Sequence, residues 1–207
     1  FILRRFSMKA KKLTDGNLLL NILFFSFPLM LSGVLQLLFN AADTIVVGRF
    51  AGKASLAAVG STTSLIHLLI NLFIGLAVGA NVVTAHFMGA EKTKDANDAM
   101  HSSIVLSFWC GIVLAVIGLI FSPLFLRLMG NPDDVIGLAS KYMRIYFLGM
   151  PALMIYNFGS AILRAVGDTK YPLYYLCFAG IINVILNLIL VISFQMGVAG
   201  VALATMV

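Results

Sequence analysis

Asp43 stands at the exit end of an apolar run that also carries Gln36 and Asn40. At 100° per residue, these three positions fall on one helical face. A carboxylate at the centre of a membrane helix costs about 2.5–3.5 kcal/mol on insertion scales. An acid kept there at that cost is a candidate for binding a proton or a cation reversibly. Two readings stand open. In one, the helix ends near Leu38 and Asp43 sits at the outer interface with Arg49 nearby. In the other, the helix continues through Val47, since Ile45, Val46 and Val47 keep the apolar pattern, and Asp43 lines a cavity open to the outside.

Asn183 and Asn187 are four residues apart in a later apolar run, and Thr205 follows in the next. Amide and hydroxyl oxygens suit a hard monovalent cation whose charge one carboxylate balances. The same groups serve equally well as polar glue between helices. His67 and Asn71 share a face in the second run, where a hydrogen bond to a neighbouring helix is the expected role. His67, His86 and His101 show no metal-binding repeat, and there is no glycine-rich phosphate loop. Without a hydrolytic or redox constellation, the chain reads as no enzyme, with no cofactor and no metal beyond a sodium ion at the polar residues above.

These residues are carried by elements built for lipid. The 207 residues are 61% hydrophobic and 11% charged. A soluble domain needs about a quarter of its residues charged. Stretches without Asp, Glu, Lys or Arg run over Gly16–Ala42, Ala54–Ala90, Ala99–Leu126, Ile145–Leu163 and Tyr171–Val207. A span needs about 20 residues. Ser193, Gln195, Gly197 and Gly200 break the last stretch into a helix near Tyr171–Ile192 and another from near Met196. Ala54–Ala90 is one long or tilted span. The expected fold is therefore an all-α, polytopic membrane helix bundle of six transmembrane helices. The sixth, Met196–Val207, reads as incomplete, since 12 residues rise only about 18 Å. The chain then reads as a piece of a longer one, with a basic segment at residues 1–17 and a transmembrane lobe at 18–207.

With the N-terminus inside, the inner side carries Arg4, Arg5, Lys9, Lys11, Lys12, Lys92, Lys94, Arg164 and Lys170. Arg49, Lys53, Arg127, Lys141 and Arg144 are left outside. Nine against five places the N-terminus in the cytoplasm. The basic residues lie at the ends of apolar runs, so the net charge of +6 is no nucleic-acid signature. Cys110 and Cys177 sit inside apolar runs without metal-ligand spacing and read as buried thiols. Pro28 in the first span and Pro151 in the fourth are candidate helix bends. Gly75 and Gly79 form a small-xxx-small pair, expected to pack closely on another helix. Asn131, Pro132, Asp133 and Asp134 read as a helix start with Asn131 as its cap.

Four stretches together resemble the multidrug and toxic compound extrusion transporters, within a wider group that includes polysaccharide and lipid-precursor flippases. They are FPLMLSGVLQLLFNAADTIVVGRFAG, GLAVGANVVTAHFMGA, LRAVGDTKYP and NVILNLILVISFQMGVAGVALAT. Their order and spacing fit from about Asp15 to Val207. The resemblance implies twelve helices in two six-helix lobes facing a central cavity, of which this chain is similar to the first. It implies that Asp43 takes part in proton or sodium coupling and that Asn183, Asn187 and Thr205 complete a cation site. Many relatives carry aspartate where this chain has Asn187.

The expected activity is secondary active efflux of organic cations or drugs in exchange for Na+ or H+. Gln36 and Asn40 would line the cavity. The expected partners are small organic cations, membrane lipid and the C-terminal lobe of the same protein, in the plasma (cytoplasmic) membrane. One alternative is a flippase for a lipid-linked polysaccharide. The cavity basic residues that it would need for phosphates are missing from the middle of these spans. Another is an inactive membrane fragment.

Overall fold

A computed structural model of the protein describes residues 17–206, all of them in helices or short connections. The basic residues expected on the inner side between Arg4 and Lys12 lie outside the described residues. Helix α1 is Leu18–Val46 and runs into a π turn, Val47–Ala51. Helices α2, Lys53–Gly89, and α3, Thr93–Leu128, follow. A shorter pair comes next, α4, Asp133–Leu148, and α5, Met150–Ala165. Helix α6, Lys170–Leu188, ends in a second π turn, Ile189–Ser193, and α7 is Val198–Met206.

Four of these elements are long and apolar enough to cross a membrane: Leu18–Ala51, Lys53–Gly89, Thr93–Leu128 and Lys170–Ser193. A fifth is added if α4 and α5, bent by 50° at their junction, count as one span. The expected six are thus four or five by length, because the nine described residues of α7 rise only about 14 Å. The fourth span begins at Asp133, at the helix start expected there, so it takes in residues ahead of the charge-free stretch from Ile145, and it breaks at Gly149. Lys141 and Arg144, which ended the charge-free stretch, share an exposed strip of α4, while Ala139, Met143 and Phe147 on the opposite strip are buried. Pro151 lies in the first turn of α5, not inside a helix; its missing N–H costs nothing there. The N–H of Gly149 turns back to the Tyr146 carbonyl at 3.1 Å, closing α4.

Asn131 does not cap α4. Its side-chain N–H donates to the carbonyl of Leu126 at 3.0 Å, closing α3, and Pro132 takes the cap position with Asp133 and Asp134 in the first turn behind it. Helix α1 is continuous through Pro28. Cys110 is buried, Cys177 is half-buried, and both thiols are free. Gly75 and Gly79 were expected to meet a helix, but a Cβ added at either would meet nothing within 4 Å. His67 and Asn71 are likewise exposed, on a face of α2 that no described helix covers.

The core is shared by α2, α3, α4, α5 and α7, with Leu114, Leu126, Met143, Phe147, Met154 and Val201 sealed from solvent. The α4–α5 elbow presses on two glycines of α3. A Cβ on Gly118 would overlap the Phe147 ring, and one on Gly111 would overlap the backbone of Pro151. A ring can rotate; a proline backbone cannot. Gly111→Ala is therefore expected to destabilise the protein by about 1–3 kcal/mol through overpacking. Gly137→Ala, on an exposed turn of α4 with open space around it, is expected to cost nothing or to stabilise by up to about 1 kcal/mol. Thermal unfolding of the two purified variants measures the contrast.

Candidate functional site

The polar residues separated in sequence meet where α1, α6 and α7 converge. Helix α1 continues past Leu38 as the longer of the two readings required, carrying Asp43 half-buried. Its carboxylate accepts a hydrogen bond from the side-chain amide of Asn187, with Nδ2 to Oδ1 at 2.5 Å. Asn187 is fully buried on α6. The same Nδ2 lies 3.3 Å from Oδ1 of Asn183, one turn earlier on α6. Nδ2 of Asn183 in turn reaches the hydroxyl of Thr205 at 3.5 Å. Thr205 donates its own proton to the Val201 carbonyl at 2.9 Å, so the chain of contacts ends in the backbone of α7.

The turn after α6 brings Thr205 into place. Gln195 and Gly197 adopt φ of 51° and 55°, the left-handed region that reverses the chain. The Met196 N–H closes onto the Leu190 carbonyl at 3.1 Å. A Cβ on Gly200 would stand 3.1–3.2 Å from Leu190, so α7 lies tight against the end of α6.

Two features of the site have no counterpart in the sequence reading. Both helices loosen into a π turn just beyond their site residue, at Val47–Ala51 and Ile189–Ser193, and the two π turns touch. Such turns recur at functional sites because they re-aim side chains at the expense of regular pairing. Helix α4 supplies two tyrosines, Tyr142 and Tyr146, with rings 6.0 Å apart and both within electrostatic reach of Asp43. Gln36 and Asn40, expected beside Asp43, are exposed on α1 and do not enter the hydrogen-bonded set. A helical face is about 100° wide, and Asp43 lies on its edge nearest α6.

The carboxylate is met by an amide rather than by a cation. Next to it, Oδ1 of Asn187 is buried without a hydrogen-bond partner. An amide oxygen left so costs about 1–3 kcal/mol until something donates to it. One carboxylate, amide oxygens and a hydroxyl form a donor set for one hard monovalent cation, and the same carboxylate can hold a proton instead. Among the described residues, no cluster of His, Cys, Asp or Glu has the makings of a transition-metal site.

Known proteins share this architecture. A family model described as MatE matches residues 28–189. The probable multidrug resistance protein YpnP of Bacillus subtilis (strain 168) is 33% identical over 198 residues, covering 96% of this chain and 44% of that protein. The probable multidrug resistance protein YoeA of the same organism is 36% identical over 187 residues, 88% of this chain and 40% of its own length. A solved MOP superfamily transporter from Pyrococcus furiosus superposes with a TM-score of 0.82 at 31% identity, over 88% of this chain and 40% of that one. The chain thus spans less than half the length of the relatives that it matches. With the family model taking in most of its residues, this chain belongs to the MatE family, whose members are multi-helix membrane transporters and not enzymes.

Proposed function

We propose that this chain is the N-terminal, six-span lobe of a twelve-helix secondary antiporter that exports organic cations in exchange for sodium ions or protons. Asp43 is its coupling carboxylate, and Asn183, Asn187 and Thr205 are the neutral ligands around it. The observation that carries this reading is the hydrogen bond from Asn187 to Asp43, which ties a lone acid of α1 to a fully buried amide of α6. A structural role alone gives no reason for a carboxylate there, since an apolar pair would hold the helices without the cost of desolvation.

Helix α7 is then the start of the sixth span, and Gln36 and Asn40, exposed on α1, face the cavity between the lobes. Pro28 gives α1 a point at which to bend, and Pro151 opens the second half of the fourth span. Coupling requires the ion and the drug to favour different conformations, because a ligand with equal affinity for both shifts nothing. The two Bacillus relatives carry multidrug resistance in their names, which agrees with small organic substrates. No Lys or Arg stands in the middle of the four long spans, which disfavours a phosphate-bearing lipid cargo.

The test uses the full-length protein in liposomes loaded with ethidium, with a sodium or a proton gradient imposed separately. Ethidium movement is expected to accelerate under at least one of the two gradients. Rates indifferent to both gradients would remove the antiporter reading.

A further inference from the structure

Helix α1 is held to the rest of the bundle almost wholly by α6, and its contact with α2 is slight. Asn21, Pro28 and Val46 are the residues that it buries among those described. On α6 it meets Gly180, where an added Cβ would overlap the ring of Phe39. Gly180 is buried and Phe39 half-buried. Asp43 follows Phe39 by four residues, and Asn187 follows Gly180 by seven, so both contacts lie along the same facing strips. The ring in its notch and the hydrogen bond to the acid are therefore neighbours on one seam.

We propose that Phe39 and Gly180 are positioning residues for the ion site: the notch lets the ring seat, fixes the spacing of α1 and α6, and so keeps Asp43 within reach of Asn187. The inference rests on the reading of Asp43 as the coupling carboxylate. Hydrogen bonds fail steeply with distance, and a contact beyond about 3.5 Å is no longer one. Carbon atoms in ordinary contact stand about 3.5–4 Å apart. A methyl group in the notch thus forces the ring out or pushes α1 away, by a displacement comparable to the whole margin of the Asp43–Asn187 bond. Nothing about helix formation requires glycine at position 180, because alanine is the better helix former. The empty space has a use in the contact between helices.

The experiment compares four forms of the full-length protein in liposomes: the parent, Gly180→Ala, Phe39→Leu, and the double variant, with Asp43→Asn alongside. Gly180→Ala is expected to lower gradient-driven efflux by about tenfold or more, the scale set by misplacing a reacting group by an ångström. Phe39→Leu, which shortens the intruding side chain, is expected to restore most of the efflux in the double variant. That recovery measures coupling between the two positions and is not expected from general destabilisation. Efflux is normalised to the protein that reaches the membrane. Should Gly180→Ala not reach it, Phe39→Ala, which empties the notch without overpacking, is expected to lower efflux per molecule, and a parent rate there overturns the inference. A double variant no better than Gly180→Ala, or Gly180→Ala indistinguishable from the parent, overturns the inference. Driven efflux by Asp43→Asn removes the underlying reading of Asp43, whereas an inactive Asp43→Asn beside a normal Gly180→Ala removes the notch alone.

Discussion

Replacing Asp43 by asparagine in the full-length protein is expected to reduce gradient-driven efflux to the passive leak while leaving the amount of protein in the membrane unchanged or higher. The substitution conserves shape and a hydrogen-bonding oxygen, so the amide of Asn187 keeps a partner. What it removes is the charge. A half-buried carboxylate carries a desolvation cost that its neutral analogue does not. Stability and transport should therefore move in opposite directions or part company. That separation distinguishes a coupling group from a structural one, for which loss of activity would follow loss of folded protein. Efflux and membrane level are measured on the same preparation. Undiminished driven efflux would remove Asp43 from the mechanism.

Much of this molecule was legible from charge alone, because lipid penalises charged residues so heavily that their absence outlines the spans. Helices α1, α2, α3 and α6 follow the charge-free stretches within several residues. The charge-free stretch alone misses most of α4, whose start the Asn131–Asp134 signal marks instead; Lys141 and Arg144 ride on an exposed strip of a helix whose other side is core. An interruption in a charge count is not an interruption in a helix. The small-residue pair Gly75 and Gly79 failed for the opposite reason: the pattern reports that a close neighbour would fit, not that one is there.

The site was legible in part. Spacing put Asn183 and Asn187 on one face, and resemblance to a family joined them to Asp43 and Thr205. Tyr142 and Tyr146 escaped notice because tyrosine is common near membrane interfaces and carries no signal of its own there. The π turns had no composition to announce them, since the widening arises where two helices dock. Gln36 and Asn40 were grouped with Asp43 by angular position, yet the partner helix meets the edge of that face rather than its centre.

Asn187→Leu is expected to be the other severe substitution, and Thr205→Val to be mild by comparison. Leucine keeps the branched shape of asparagine at this fully buried position but is bulkier, so efflux is read per molecule of protein that reaches the membrane. The donor to Asp43 is gone, and a hydrogen bond to a charged group contributes about 1.5–3 kcal/mol. At 2.5 Å the Asn187–Asp43 contact is the shortest link of the chain, with 3.3 Å to Asn183 and 3.5 Å from Asn183 to Thr205. Thr205 spends its own proton on the Val201 carbonyl and joins the rest of the set through that longest link, which makes it the most weakly held of the three neutral ligands. The loss should therefore decline with distance from the carboxylate: roughly tenfold or more in driven efflux for Asn187→Leu, from the energy just given at 1.4 kcal/mol per decade, and about twofold to threefold for Thr205→Val. Efflux of both variants, normalised to protein in the membrane, measures the gradient of effect. Equal losses at the two positions would mean that Asn187 and Thr205 hold the ion with similar strength. A larger loss at Thr205 would move the centre of the site from the α1–α6 seam to α7.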